Sequence, residues 1–453
     1  MSYQIPQNID NNKIFLINRS EIEGRLEPEF YRPSVASLEK RIRFLSSHRL
    51  NDYALSIAGG ATPKKTETDK YYSDSESGIP FLRVQNLQTT GDLLIDDCIY
   101  INTDTHNGML KRSQVTEGDL LVKITGVGRM AIASVVPKGF VGNTNQHMVV
   151  IKTGDASISK YLARYLNLDI IERIASRHST GGTRPALDYS SLKNLPIIEG
   201  IDFTSIDNAI EEKKKKGKEA KNLIDGIGLS VLEELDIRLP DMKKQTLRDR
   251  VFTVNFSEIV NGRMDPRSVL FLGESAKSIK YENVQLKQIA VIEKGTPITS
   301  DDVNKEGQYP VVAGGQTSPY NHDKYNYNGD VITVSASGAY SGYVWYHTNP
   351  IFASDCSVIY TKSNRFLTKY IFEVLKAQQS YIYLLQQGAG QPHVYPDDLG
   401  QLWIPVVSLS KQQEIVDHII QIRQKAKALQ EEGADIFEQA KKDVEAMIIG
   451  VKK

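Results

Sequence analysis

The sequence predicts an α+β protein of two tandem strand-rich modules, each followed by a long amphipathic helix. Three observations predict it: the chain repeats itself in order, short apolar runs alternate with turn residues, and two long polar stretches carry apolar residues in steps of three and four.

The repeat begins with Gly24-Arg25-Leu26-Glu27-Pro28, matched by Gly262-Arg263-Met264-Asp265-Pro266. Gly118-Asp119-Leu120-Leu121 is matched by Gly329-Asp330-Val331-Ile332, and Lys160-Tyr161-Leu162 by Lys369-Tyr370-Ile371. Gly181-Gly182-Thr183-Arg184-Pro185 is echoed by Gly388-Ala389-Gly390-Gln391-Pro392, and Leu195-Pro196 by Ile404-Pro405. The offset falls from about 238 to about 207 residues, as it would if loops had shortened in the second copy. Copies of roughly 200 residues exceed the stacked units of a solenoid. They suggest one chain presenting two related binding surfaces.

Within each copy, runs such as Ile79-Pro80-Phe81-Leu82-Arg83-Val84, Leu120-Leu121-Val122-Lys123-Ile124, Met148-Val149-Val150-Ile151 and Val331-Ile332-Thr333-Val334 read as strands. Their β-branched and aromatic residues suit a pleated, half-buried surface, and turn residues bound them. A helical segment follows in each, over 159–175 and 368–385, with Tyr161, Leu162, Tyr165 and Leu166, then Tyr370, Ile371, Val374 and Leu375, at helical spacing. A glycine-rich turn and a last strand close the module.

The two long helices are expected over 204–235 and 410–449. Ile206, Ile210, Leu223 and Ile227 mark the apolar seam of the first, and Ile419, Ile422, Leu429 and Ile436 that of the second. Such helices would run roughly 45–60 Å. Gly217, Gly226, Gly228 and Gly433 each weaken helix propensity by about 1 kcal/mol, an effect that close helix packing can offset. The run Lys213-Lys214-Lys215-Lys216 resembles a nucleic-acid patch, but a solvated helix face supported by Glu211 and Glu212 is the favoured reading. Pro240 and Asp241 stop the first long helix and place the boundary between copies near 235–247.

At 453 residues, with 40% apolar and 24% charged side chains, the chain has material for two or three ordinary globular domains. No apolar run is long enough to span a membrane, and the N-terminus has neither the basic start nor the apolar core of a signal peptide. Cys98 and Cys356 alone cannot form a disulfide framework or a cysteine-based zinc site, which fits a reducing cytoplasm. The 55 basic and 55 acidic residues cancel, which argues against strong autonomous binding of nucleic acid. The balance is local: Lys111 to Leu195 carries 12 basic against 6 acidic residues, while Pro310 to Pro396 carries 5 against 4. The second stretch is instead rich in tyrosine, including Tyr320, Tyr325, Tyr327, Tyr340, Tyr343 and Tyr346.

Catalytic constellations are missing. There is no phosphate-binding P-loop, no HExxH and no G-x-S-x-G elbow. Thr348-Asn349-Pro350-Ile351-Phe352 departs from the Asn-Pro-Pro-Tyr/Phe signature of amino-methyltransferases at Ile351, and a turn is the default for Asn-Pro. Ser341 and His347 suggest a hydroxyl–base pair without a nameable third member, and the histidines do not cluster at metal-ligand spacing. The expectation is a non-catalytic chain with no metal.

What remains is a set of polar loops at matching places. In the first copy they contribute Arg83, Gln85 and Asn86; Lys123, Thr125 and Arg129; Asn143, Asn145 and Gln146; and Arg177, Thr183 and Arg184. In the second they contribute Gln316, Ser318, Ser335, Ser337, Tyr340, Gln391 and His393. Arg pairs well with guanine edges and Asn or Gln with adenine edges, while glycines and hydroxyls admit phosphate. Any one loop, taken alone, reads better as a plain turn between strands. Parallel placement with divergent polar content favours recognition for the set.

This combination resembles the specificity subunit of type I restriction–modification enzymes. The likeness rests on Gly-Ile-Pro-Phe-Leu-Arg-Val-Gln-Asn-Leu at 78–87, Gly-Asp-Leu-Leu-Val-Lys-Ile-Thr-Gly-Val-Gly at 118–128 and Ser-Thr-Gly-Gly-Thr-Arg-Pro at 179–185. Leu192-Lys193-Asn194-Leu195-Pro196, the second-copy counterparts and Lys411-Gln412-Gln413-Glu414-Ile415 add to it. The resemblance implies target-recognition domains at 1–200 and 239–406, each reading one half of a bipartite double-stranded DNA site. Spacer helices at 201–238 and 407–453 would pack antiparallel, giving a pseudo-twofold repeat, and dock two methyltransferase subunits. Those partners would bring S-adenosylmethionine, this chain binding no cofactor, and a motor-nuclease subunit would cut. No membrane is implied. Arg184 faces Gln391 as its counterpart, so contacts cannot be copied between halves. The alternatives are a duplicated DNA-modifying enzyme, or a protein-interaction scaffold using its tyrosine-rich loops.

Overall fold

A computed structural model describes residues 10–240, 276–299, 302–304, 306–388 and 390–450, with Thr253 and Asn255. The Gly262–Pro266 half of the opening repeat, Ala389, and positions 241–247 of the expected boundary lie outside the described residues. The chain forms two compact units, one of Met1–Lys215 with Glu432–Lys453 and one of Lys216–Glu431. Each long helix therefore gives one part to each unit, a division that the expected linear boundaries did not include.

In the first unit, strands Ser56–Gly59, Met148–Lys152, Leu120–Lys123 and Ala133–Val135 form an antiparallel sheet in that order. Val149 pairs with Val122 on one side and Gly59 on the other. A second sheet orders Tyr72–Ser73, Ile99–Ile101, Ile79–Leu82, Gly142–Thr144 and Gln114–Val115. The core joins Val122, Val149 and Ile151 to Leu162, Tyr165, Ile171 and Ile174. Ile206 and Ile210 of one long helix and Phe437 and Val444 of the other complete it.

In the second unit, Ala290–Lys294, Cys356–Thr361, Val331–Ser335 and Val344–His347 form an antiparallel sheet in the corresponding order. A smaller sheet orders Asn321–His322, Tyr309–Val312 and Phe352–Ala353. Ile332, Val334 and Ile359 pack on Tyr370, Ile371 and Leu375, together with Ile227, Val231, Ile415 and Ile419. Each unit closes on a short ladder, His48–Arg49 with Pro196–Ile197 and Asn283–Gln285 with Trp403–Pro405.

The expected helical segments are each broken in two. Ala156–Leu166 is followed by Asp169–His178, because the Asn167 amide donates to the Ala133 carbonyl at 2.7 Å and accepts the Ala133 N–H at 3.1 Å. That exchange ends the helix by offering a side chain an alternative to the helical ladder. Thr368–Ala377 is followed by Gln379–Tyr383, where the Gln379 side chain accepts the Val344 N–H at 2.9 Å and donates to the Gly342 carbonyl at 2.8 Å.

The long helices run over Thr204–Glu234 and Leu409–Ile449, 31 and 41 residues. The first ends before Pro240, through Asp236 in the left-handed region at φ 48°. In the first unit Asp207 ties this helix to Arg164 at 2.7 Å and Lys160 at 2.7 Å. There the Lys213 ammonium lies 4.8 Å above the Phe437 ring. In the second unit Arg423 grips the buried Glu373 carboxylate with two bonds, and Lys411 meets Glu234 at 2.5 Å. The lysine run is otherwise paired at the surface, Lys214 with Asp92 and Glu211 and Lys215 with Glu212.

Candidate nucleic-acid interface

The loops singled out in the first copy come together. The Ile124 and Thr125 N–H groups donate to the His147 carbonyl at 2.9 and 3.2 Å, and Gly126 donates to Pro185 at 3.0 Å. Leu187 donates to Ile124 at 2.8 Å, while Thr180 and Ala186 exchange bonds across the glycine turn. Asn145 reaches the Leu82 carbonyl at 3.1 Å, which brings in the turn that begins at Arg83. Four loops separated in sequence thus form one edge of the unit. Gly126 and Gly128 (φ 120° and 80°) permit the tight hairpin whose tip, Val127, is 77% exposed.

Which side chains remain available is another matter, and several expectations need correction. Asn86 is buried, accepting the Arg83 N–H at 2.7 Å and donating to the Leu94 carbonyl at 2.7 Å, so it braces its own turn. Asn143 is buried between His106 and the Leu110 carbonyl. The buried Lys123 ammonium donates to the Val127 carbonyl at 2.8 Å, and burial holds its pKa below the ordinary lysine value. Arg129 is bound to Asp169 and the Asn167 carbonyl, inside the unit rather than on its edge. Arg177 lies over the Phe30 ring at 4.1 Å and pairs with Glu39. In each case the side chain is already engaged by the protein, although the buried Arg129 Nε has no hydrogen-bond partner among the described residues.

Gln85, Gln146, Thr183 and Arg184 stand exposed, and Thr125 is half-buried at the loop junction. Gln85 donates to Asp97 at 2.8 Å and Gln146 accepts from Thr62, contacts that solvent-facing side chains exchange easily. Arg83 is bound to Asp97, at 3.1 Å from its carbonyl and 3.5 Å from its carboxylate. A residue to which the sequence assigned no role positions the arginine-bearing turn. Arg25, of the repeated Gly-Arg-x-x-Pro, donates to the His178 and Ser179 carbonyls at 3.4 and 3.0 Å, at the end of the helix that feeds 179–184. The signal was the repeat itself.

The second-copy loops also converge. Gly338 donates to the Pro392 carbonyl and Val394 to Ala336, each at 3.0 Å. His393 bridges to both Ser337 and Gln387. Gln316, Tyr340 and Gln391 are exposed. Ser335 is instead buried, its hydroxyl turned to the Gly315 carbonyl at 3.3 Å. Ser318 donates to the Val311 carbonyl at 2.6 Å and Ser337 to Asp355, so these hydroxyls shape the loops.

The imagined pairing of His347 with Ser341 is not present. His347 is buried against the Thr333 hydroxyl at 2.8 Å, and burial pushes its pKa down to about 4. No group of three metal-ligating side chains stands together among the described residues. No described helix is long and apolar enough to cross a membrane. On the long helices, Ile206, Ile210, Ile227 and Ile419 are buried in their own unit's core, which corrects their assignment to a partner. Leu223, Ile422, Leu429 and Ile436 are half-buried, whereas Leu229 is 64% and Met447 68% exposed.

Residues 278–433 match the family model described as the type I restriction modification DNA specificity domain. Solved structures similar to this chain include a type I restriction-modification S subunit from M. genitalium, with 14% identity over 88% of this chain and 95% of that one, at a TM-score of 0.41. A chain from work on complex assembly and conformational transition of the type I R-M system shares 14% over 88% and 95%, at 0.45. An HsdS subunit from Thermoanaerobacter tengcongensis shares 14% over 89% and 96%, at 0.36. No curated protein matches the chain in sequence.

Proposed function

We propose that this chain is the specificity subunit of a type I restriction–modification complex, each unit reading one half of a bipartite DNA site. The observation that carries the reading is the specificity-domain match over 278–433, in the unit whose loops 313–318, 335–341 and 387–393 converge on one edge. The first unit repeats the sheet order and gathers its own matching loops, which supports an internal repeat. Gln85, Gln146, Thr183 and Arg184 would make contacts in one half-site, and Gln316, Tyr340 and Gln391 in the other.

The long helices would pack antiparallel as a spacer. Lys213 over Phe437 in one unit and Lys411 beside Glu234 in the other support this, each pairing an early part of one helix with a late part of the other. A rigid spacer addresses two half-sites about one turn of duplex apart. Methyltransferase subunits would dock on exposed apolar positions such as Leu229 and Met447, bring S-adenosylmethionine and perform the methylation. This chain would itself carry no catalysis.

Exchange of residues 50–200 for the matching region of a relative tests the assignment. Methylation mapping should then show one half-site replaced and the other kept. Change in both halves would overturn it.

A further inference from the structure

Beside the loop edge, the first unit holds a cavity of about 590 Å³, lined in part by Arg83 and Asn145 and lying against the sheet strands Ile79–Leu82 and Ile99–Ile101. That volume lies within the range of small-ligand sites. Its wall includes Tyr72, Tyr100 and the buried Phe81, with Lys65 and Arg83 as cations, the second of them paired with Asp97. The Tyr72 hydroxyl is turned away, donating to the Pro63 carbonyl at 2.9 Å, which leaves its ring to the cavity.

One donor in the wall lacks an acceptor. Asn145 is only 7% exposed, and its Oδ1 accepts the His147 N–H at 3.1 Å. Its amide nitrogen has no acceptor among the described residues and is left accessible to the cavity. Arg83 is already engaged, its Nη2 lying 3.1 Å from the Asp97 carbonyl and 3.5 Å from the Asp97 carboxylate, and its Nε is enclosed and does not face the cavity. Lys65 is exposed and makes no ion pair among the described residues. Rings supply a surface for a planar group, the free Asn145 amide calls for an acceptor, and an unpaired ammonium at the rim suits an anion.

We propose that this cavity is a nucleotide pocket. The base lies against the tyrosine rings with a ring carbonyl toward the Asn145 amide, and the phosphate meets Lys65. The donor set favours guanine, thymine or cytosine over adenine. The nucleotide comes either free from solution or unstacked from the recognised duplex; the second source rests on the function proposed above.

Two arms separate the sources, both on the full chain. In the first, dGMP, dTMP and dAMP are titrated by ligand-observed NMR. Binding of dGMP and dTMP should exceed that of dAMP at least fivefold, and Asn145→Ala and Lys65→Ala should each weaken it at least fivefold. Lys65 lies on the surface, so its variant keeps the test open should Asn145→Ala fail to fold. In the second, 2-aminopurine is placed beside each position of the half-site in turn, in the assembled complex. Brightening beside one position, lost in Lys65→Ala, assigns the pocket to an unstacked base of the duplex. No response in either arm, from a chain that still selects its DNA sequence, overturns the pocket and leaves the specificity reading standing. A chain that selects no DNA sequence fails that reading, whatever the free nucleotides show.

Discussion

Glu39, on the helix Pro33–Leu45, and Arg177, at the end of Asp169–His178, form an ion pair in the interior of the first unit. His178 joins at 2.8 Å and Arg43 at 2.7 Å, all against a carboxylate that is almost wholly buried. Burial alone pushes the Glu39 pKa up. The hydrogen bonds and charges of His178, Arg177 and Arg43 outweigh it and bring the carboxyl down to about 2.

A pH dependence follows. The folded pKa lies below the ordinary value near 4.5, so the contribution of Glu39 to stability is fully present above about 4.5 and is lost as pH falls toward 2. Glu39→Gln should therefore destabilise the protein by about 3 kcal/mol at pH 7, and by much less near pH 2.5. Urea unfolding at the two pH values checks this. An equal loss at both would contradict it.

The two units share a tyrosine tie. Tyr165 donates to the Pro196 carbonyl and Tyr370 to the Pro405 carbonyl, each at 2.9 Å and each buried. Replacing either by Phe leaves a buried carbonyl unsatisfied and should cost about 1–2 kcal/mol. Because the tyrosines sit in separate cores, the double variant should show the sum. Chemical denaturation of the three variants is the measurement.

Charge is reversed between the units where a module helix meets a long helix. Arg164 and Asp207 pair in one, Glu373 and Arg423 in the other. Arg423→Ala strands a buried carboxylate and should destabilise by about 3–5 kcal/mol, with Glu373→Gln restoring part of the loss. A double-mutant cycle that finds no coupling would refute the clamp.

Internal and exposed arginines should separate. Arg129→Ala removes a brace, lowering thermal stability and leaving the salt dependence of DNA binding unchanged. Arg184→Ala should leave the melting temperature in place and weaken specific DNA binding by about 1–3 kcal/mol. Paired melting and binding curves on the assembled complex decide between the roles.

Much of this was legible in the sequence, and the reasons differ by element. Strands such as Leu120–Lys123 and Val331–Ser335 are signalled by β-branched runs between turns, and both long helices by apolar steps of three and four. The helix breaks after Leu166 and Ala377 were not legible, because Asn167 and Gln379 act through partners on distant strands. Loop clustering was legible as parallel placement, but side-chain fate was not. Composition treats Lys123, Asn143 and Arg184 alike, and only packing shows the first two satisfied inside and the third left on the edge. The same limit applied to Ile206 and Ile419, where an apolar seam could not say which surface it would meet.

The most direct measurement is the set of methylated motifs in a host that carries this chain with its methyltransferase. Two short half-sites separated by a gap of fixed length are predicted, and lengthening the 409–449 helix by one heptad should alter that gap alone. A single uninterrupted motif, or changed half-site bases in the lengthened variant, would contradict the account.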